Sequence, residues 1–291
     1  MSASASAPDI TLSSFFDNWE LFRTSTLAGT VAGALLGWLG VYVVLRRMVF
    51  LSAALSQAAG LGVALAFFAQ IHWGLTGLLA SPTLGAAGAT LLTTLLLMGG
   101  GARGVRRDAL LGMAWLLGSA GTLAIGTRIA QEVQDIQSIL FGSAVAVLDE
   151  DFHQVLALAG VLAALHLWWR RGFLAASFDP EGARVRGLPV FGLDLTLLAT
   201  MAIAISLCTR VLGALPVFAF SVLPAMAAVR MSPNVNVALG ISAVFGAASG
   251  FGGYVLAYRY ELPVGASQTL LAAALVLVAS MVRRLLARVF R

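Results

Sequence analysis

Lysine is absent from this 291-residue sequence, and its 18 basic residues are all arginine. A Walker A loop needs a lysine to reach the phosphates of the nucleotide. The chain therefore cannot bind ATP through that motif, and any ATP-driven work requires another chain. Cysteine is nearly absent as well, because Cys208 is the single one and no internal disulfide is possible.

Charge is scarce, since only 11% of the residues are charged whereas 59% are hydrophobic, and the mean hydropathy is +0.92. A soluble domain carries about 25% charged residues, so most of this chain's exterior must face lipid. A transmembrane helix needs roughly 20 apolar residues, and the apolar runs are continuous rather than alternating as in a membrane barrel. The sequence predicts an all-α helical bundle with nine spans, or eight if the short fifth or seventh run does not cross: 24–45, 48–69, 76–99, 109–126, 154–169, 191–209, 211–229, 235–258 and 265–282.

Arginine is distributed unevenly between alternate loops, and cytoplasmic loops are the ones enriched in basic residues. The bias predicts an external amino terminus and a cytoplasmic carboxyl terminus. Arg23, Arg128, Arg210 and Arg259 fall on the external side, and the cytoplasmic side holds Arg46, Arg47, Arg103, Arg106, Arg107, Arg170, Arg171, Arg184, Arg186, Arg230, Arg283, Arg284, Arg288 and Arg291.

The spans define three regions of the chain. Residues 24–285 are predicted to form the membrane domain, residues 1–23 before it to be flexible or to lie in the membrane interface, and residues 286–291 after it to be a basic tail. The external loop 127–153 contains the run ILFGSAVAVL, which is too short to span and is expected to be re-entrant or packed at a pore mouth. Its acidic end, 149–153, either attracts cations or docks a partner.

The cytoplasmic loop 170–190 contains the signals of a short helix. Asp179 is a good N-cap, Pro180 suits the first helical position and Glu181 follows in the first turn. Gly187 marks the stop. The loop is either a docking helix for a soluble partner or an ordinary connection.

Several ordered blocks of the chain resemble one family, the permease subunits of ATP-binding-cassette (ABC) importers for zinc and manganese. The resemblance covers about residues 24–285. It rests on LRRMVFLSAALSQAAGLGVALAF at 45–67, DALLGMAW at 108–115, DIQSILFGSAVAVLDEDF at 135–152, FDPEGARVRGLPV at 178–190, VLGALPVFAFSVLPAMAAVR at 211–230 and YELPVGASQTLL at 260–271.

This resemblance implies a multi-pass protein of the bacterial inner membrane that is not itself an enzyme. It implies a homodimer, or a heterodimer with a similar permease, served by separate ABC ATPase subunits and by an extracytoplasmic solute-binding protein. No cofactor and no nucleic-acid partner are implied. Segment 178–190 corresponds to the family's coupling helix, and the residues assigned to coupling are Asp179, Glu181, Ala183 and Gly187.

The chain departs from the family where an Asp and a His usually face the pathway in the second span. Ala53 and Gln57 occupy those positions. Alanine offers no ligand to zinc or manganese, which prefer imidazole and carboxylate groups, so no metal-ligand set is assigned. Ser52, Ser56 and Gln57 remain as candidates for lining a pathway for a neutral, chelated or weakly held cargo, or else they only form hydrogen bonds between helices.

Two ionisable residues interrupt apolar runs, where such residues are costly and usually functional. Asp194 is expected to reach the cytoplasm or to pair with Arg184 or Arg186, and Arg210 is expected to anchor the outer side. Neither lies near the middle of a span, which argues against a secondary carrier. An intramembrane enzyme would need a His-Glu zinc motif or a Ser-His couple, and none is present. The alternative to a metal importer is a permease paralogue that acts as a membrane scaffold.

Small residues recur on two of the predicted spans. Gly29, Gly33, Gly37 and Gly40 follow one another every three or four residues in the first span, and Gly246, Gly250 and Gly253 do so in the eighth. Such stripes let helix backbones approach closely. They predict helix-packing faces.

Overall fold

A computed structural model describes residues 12–99, 105–129 and 147–289 of the chain, and within these ranges it contains helices and no strands. The helices are α1 (Leu12–Asp17), α2 (Trp19–Leu45), α3 (Val49–Trp73), α4 (Pro82–Gly99), α5 (Val105–Ile129), α6 (Asp149–Trp168), α7 (Arg170–Phe178), α8 (Pro180–Val185), α9 (Val190–Leu212), α10 (Ala214–Met231), α11 (Val235–Tyr260) and α12 (Val264–Val289).

Eight of the described helices are long and apolar enough to cross a membrane, and α4 is a further apolar helix with 18 residues in the described range. The all-α bundle predicted from the sequence is therefore confirmed. The two runs predicted to be short, the fifth and the seventh, form helices of 20 and 18 residues, which are the two shortest of these eight described spans. The runs predicted at 154–169 and 211–229 form α6 and α10, which both reach span length, whereas the run predicted at 76–99 becomes helical only at Pro82 after a 3₁₀ turn.

Helices α2, α3, α9 and α10 form the middle of the bundle. Most residues in the apolar stretch of each are buried inside the chain. Helices α5 and α6 lie at the periphery, and only 22% of the residues in the apolar stretch of each are buried. Their outer faces carry large apolar side chains such as Leu117 and Val161, which are 61% and 64% exposed. Such faces are stable only against lipid or another apolar protein surface.

The predicted glycine faces are confirmed as helix-packing faces, mostly between α2 and α11, whereas Gly40 meets Ser221 of α10 and Gly253 meets Gln268 of α12. A Cβ atom added at Gly33 would collide with the backbone carbonyl of Gly246, and one added at Gly250 would collide with that of Gly29. The hydroxyl of Ser242 donates to the carbonyl oxygen of Gly37 at 2.5 Å across the same contact. Only residues without a side chain allow this distance between two helices.

The amino-terminal region is partly built into the bundle. The ring of Phe15 in α1 is completely buried, with Phe22 stacked at 5.8 Å and Tyr258 at 5.3 Å between ring centroids. Helix α2 begins at Trp19, inside the segment predicted to be interfacial. Residues 1–11, for which flexibility was predicted, lie outside the described residues.

Two other predicted regions are only partly described. Residues 130–146, which include most of the predicted re-entrant run, lie outside the described residues. The basic tail begins as a continuation of α12, which extends to Val289.

Candidate functional site

The short helix α8 forms as the capping signals predicted. The carboxylate of Asp179 accepts a hydrogen bond from the backbone N–H of Gly182 at 2.8 Å, and Pro180 occupies the first helical turn. At the other end Gly187 adopts a φ of +78°. The N–H groups of Gly187 and Leu188 then bond the carbonyl oxygens of Arg184 and Ala183 at 2.9 and 3.0 Å. These two hydrogen bonds together form a Schellman motif, which ends the helix.

The four residues assigned to coupling do not share one surface. Asp179, Glu181 and Gly187 are exposed. The side chain of Ala183 is completely buried in a cluster that includes Phe173 and Val190. The expectation that Ala183 forms part of a docking surface therefore needs correction, because its small size serves packing inside this chain.

Apolar side chains that the sequence did not single out complete the exposed face of this segment. Val185 is 88% exposed, Phe191 72% and Phe178 60%. Glu181 and Val185 are four residues apart and lie on one side of α8, and Phe178 and Phe191 are exposed on the helices that flank it. We call these four residues the α8 face. Exposed apolar groups rimmed by charge are typical of a protein-binding surface. The sequence contained a signal for this surface. Phe178 and Phe191 lie just outside the caps of α8, where helix capping does not require an apolar side chain.

Helix α7, directly before α8, was also missed by the sequence reading. It follows α6 with only Trp169 between them. Phe173 and Ala176 are three residues apart, and both are buried against the bundle. That spacing is the helical signal that could have predicted α7.

Arg46, at the end of α2, contacts both helices that flank α8. Its Nη1 lies 2.7 Å from the carboxylate of Asp194, the fifth residue of α9. Its Nε donates to the hydroxyl of Ser177 in α7 at 2.8 Å. The predicted pairing of Asp194 with Arg184 or Arg186 is wrong, because Arg186 instead donates to the carbonyl of Gly182 within α8.

The three pathway candidates lie on α3 but make different contacts. Ser52 and Ser56 are fully buried, and the Ser56 hydroxyl donates to the carbonyl of Ala53 in its own helix at 3.0 Å. Gln57 packs against Gly118 of α5, where an added Cβ would lie 2.7 Å from the Gln57 backbone. Among the described residues, the Ser52 hydroxyl and the Gln57 carbonyl oxygen are buried without a hydrogen-bond partner.

The acidic end of the external loop begins α6 instead of forming a loop. Asp151 pairs with Arg210 of α9 at 2.8 Å, and Asp149 accepts a hydrogen bond from Thr24 of α2 at 2.7 Å. Negative charge in a first turn also favours the helix dipole. Among the described residues, no group of three or more His, Cys, Asp or Glu side chains is placed to hold a metal ion.

The three histidines are separated from one another. His166 is buried and bonds Thr200 through Nε2 at 2.9 Å. His153 bonds the carbonyl of Asp149, and His72 stacks on Phe68 at 4.2 Å. Each has a local packing partner, and the Nδ1 of His166 is buried without a hydrogen-bond partner.

Comparison with known proteins identifies a family whose sequence model matches this chain. The family model described as the ABC 3 transport family matches residues 18–283. An uncharacterized membrane protein of Synechocystis sp. is 30% identical over 272 residues, covering 91% of this chain and 92% of the relative.

Two further relatives carry functional names. A probable iron transport system membrane protein of Haemophilus influenzae is 26% identical, covering 90% of this chain and 93% of its own length. A manganese transport system membrane protein, MntC, of Halalkalibacterium halodurans is 25% identical, covering 91% and 89%.

Among solved structures, PsaBC from Streptococcus pneumoniae in complex with a Fab superimposes with a TM-score of 0.80. The sequence identity is 23%, and the match covers 92% of this chain and 95% of the other. At this identity the likeness shows the fold alone.

Proposed function

The chain belongs to the ABC 3 transport family, and from this premise we propose that it is the translocation subunit of an importer for a divalent metal cation or a metal complex. As a family member it is a multi-pass membrane permease of the bacterial inner membrane. The names of its relatives, which refer to iron and manganese transport, support the cargo class.

The partners follow from the chemistry that this chain lacks and from the surface that it exposes. Without lysine it has no Walker A motif, so a separate ABC ATPase supplies the energy. The α8 face is where that ATPase binds, with Val185 at its most exposed point. A solute-binding protein delivers the cargo from outside. A second permease, identical or similar, covers the apolar faces of the peripheral helices.

The observation that carries this proposal is the rigidly capped α8 with an apolar, acid-rimmed exposed face. A connecting loop has no need for an N-cap, a Schellman motif and three exposed apolar side chains within 14 residues, 178–191. A soluble partner that covers this face removes the apolar area from water, which favours binding. The scaffold alternative does not explain why this face is built.

The cargo has an unusual environment in this permease. Ala53 and Gln57 stand where an Asp and a His are usual in the family, and the described residues provide no cluster of charged ligands. Ser52 and Gln57 offer neutral oxygens without partners. We therefore propose that the cargo crosses as a chelate or is held weakly, with Ser52, Ser56 and Gln57 along its path.

Uptake by vesicles tests the proposal directly. The vesicles contain this chain, its candidate ATPase and its candidate binding protein, and zinc, manganese and iron are supplied free or as citrate complexes, with and without ATP. ATP-dependent uptake is expected, with more from the complexes than from the free ions. Hydrolysis without uptake of any metal would contradict the metal assignment.

Glu181→Arg serves as the coupling variant in the same vesicles. Charge reversal on the α8 face is expected to abolish both stimulated hydrolysis and uptake, whereas Glu150→Arg, an exposed acid on α6, leaves copurification of the ATPase unchanged. No stimulated hydrolysis with the unaltered chain would favour the scaffold.

A further inference from the structure

Arg46 joins the two ends of the segment that contains α8. Ser177 lies two residues before the N-cap of α8, and Asp194 is the fifth residue of the next helix. The guanidinium of Arg46 bonds both, at 2.8 Å and 2.7 Å. Because these two partners are 17 residues apart in sequence, one side chain closes the segment into a loop anchored on α2.

The contacts of Arg46 are sheltered enough to hold. Its side chain is 12% exposed and that of Asp194 is 35% exposed. Hydrogen bonds in which a group is charged are shorter and stronger than neutral ones, and a partly buried pair is less screened by salt than a surface pair. The Ser177 hydroxyl also donates to the carbonyl of Phe173 at 2.6 Å, so the bond from Arg46 reaches the buried anchor of α7.

The anchor point of this loop is a central helix. Helix α2 contacts α11 through the glycine face and also packs against α10 and α6. Helix α9, which carries Asp194, has Arg210 in its last turn, where it forms an ion pair with Asp151 of α6. A displacement of α8 therefore reaches the central and outer parts of the bundle through Arg46 and Asp194.

We propose that Arg46 is the positioning residue through which movement of α8 is transmitted to α2 and α9, so that ATP hydrolysis and transport stay coupled. This inference rests on the proposed function, because it assumes that an ATPase moves α8. Without Arg46 the segment remains capped and can still bind the ATPase. It then stays joined to α2 by the packing around Ala183, but without the charged link its movement is transmitted to α2 and α9 less completely.

Arg47 provides a matched control. It is the next residue, it carries the same charge and it is exposed. A general requirement for positive charge in this cytoplasmic loop would make the two arginines equivalent. The proposal makes only Arg46 important.

The first measurement is hydrogen exchange of the full chain in nanodiscs. Arg46→Gln is expected to speed exchange in residues 170–186 about tenfold, since a charge-assisted bond that fixes them is lost. Arg47→Gln is expected to leave it unchanged. Equal exchange in the two variants would overturn the proposal, and this readout needs neither cargo nor ATPase.

The second measurement is metal taken up per ATP hydrolysed by the assembled transporter in vesicles. Arg46→Gln is expected to keep ATP hydrolysis while uptake per ATP falls about fivefold or more, the scale of a typical coupling energy. Arg47→Gln is expected to keep the ratio. A residue that only stabilised the fold would lower uptake and hydrolysis together, and that outcome, or an unchanged ratio, overturns the proposal.

Ser177→Ala is the milder variant if Arg46→Gln does not accumulate. It leaves the ion pair in place and removes only the link to α7, so uptake per ATP is expected to fall about twofold or more, as for loss of part of a coupling energy. An unchanged ratio in this variant also overturns the proposal. Absence of ATP-driven uptake with the unaltered chain would instead refute the import function, and the exchange comparison would still decide whether Arg46 holds the segment.

Discussion

Gly33 of α2 and Gly246 of α11 bring the backbones of two membrane helices into direct contact. A Cβ on either residue would lie inside the van der Waals radius of the other's carbonyl group. The obstructing atoms are backbone atoms, which cannot move aside as a flexible side chain can. This contact holds α2 in the middle of the bundle. It thereby fixes the position of Arg46, which caps the carboxyl-terminal end of α2.

Gly246→Ala is expected to lower the melting temperature of the purified chain by several degrees, because overpacking a close contact costs about 1–3 kcal/mol. Gly240→Ala on the same helix is the control, since nothing lies within 4 Å of a Cβ there. Thermal unfolding followed by fluorescence in detergent compares the two. Equal melting temperatures would show that α2 and α11 do not meet at Gly246.

Asp151→Asn is expected to destabilise the chain by about 1–3 kcal/mol, because it leaves the partly buried Arg210 without its charged partner. Glu150→Gln removes the same charge from the neighbouring exposed residue and is expected to change stability by less than about 0.5 kcal/mol. Denaturant or thermal unfolding in detergent measures both. A cost of similar size for the two variants would mean that only the net charge of the first turn of α6 matters.

Val185→Asp is expected to weaken binding of the ATPase at least about tenfold, because it places a charge at the apolar point of the α8 face. The isolated chain should unfold at an unchanged temperature, since Val185 is 88% exposed and contributes little to the core. Copurification of the ATPase at several salt concentrations measures the effect. Asn236→Asp adds the same charge at an exposed position outside the face, and equal weakening by both would refute docking at α8.

Ser52→Cys is expected to react with a membrane-impermeant thiol reagent during ATP turnover and not in the resting chain, if α3 lines the pathway. The unaltered protein is the control, because its single cysteine, Cys208, is completely buried. Labelling is read by mass spectrometry of the intact chain. A cysteine at position 52 that stays unreactive in every state would assign Ser52 to helix packing alone.

Features that depend on neighbouring residues in sequence were predictable. Hydropathy identified the membrane helices because a bilayer requires about 20 apolar residues regardless of what surrounds them. The caps of α8 were predictable since Asp179 and Gly187 act on the backbone within four residues. The glycine faces followed from helical periodicity in the same way, although which helix each one meets did not.

Features that depend on distant residues were not predictable. Asp194 pairs with Arg46, 148 residues away, and not with the nearer Arg184 or Arg186. Ala183 is buried, although the resemblance to the family's coupling helix had assigned it to coupling.

The sequence by itself determined a helical membrane protein without a Walker A motif and with one capped helix outside the spans, because hydropathy, composition and capping are local properties. The tertiary structure alone decided which faces of that helix are free and which arginine anchors it. Burial and ion pairing arise only where separate helices converge, and the positions of that convergence are set by close packing such as that between Gly33 and Gly246.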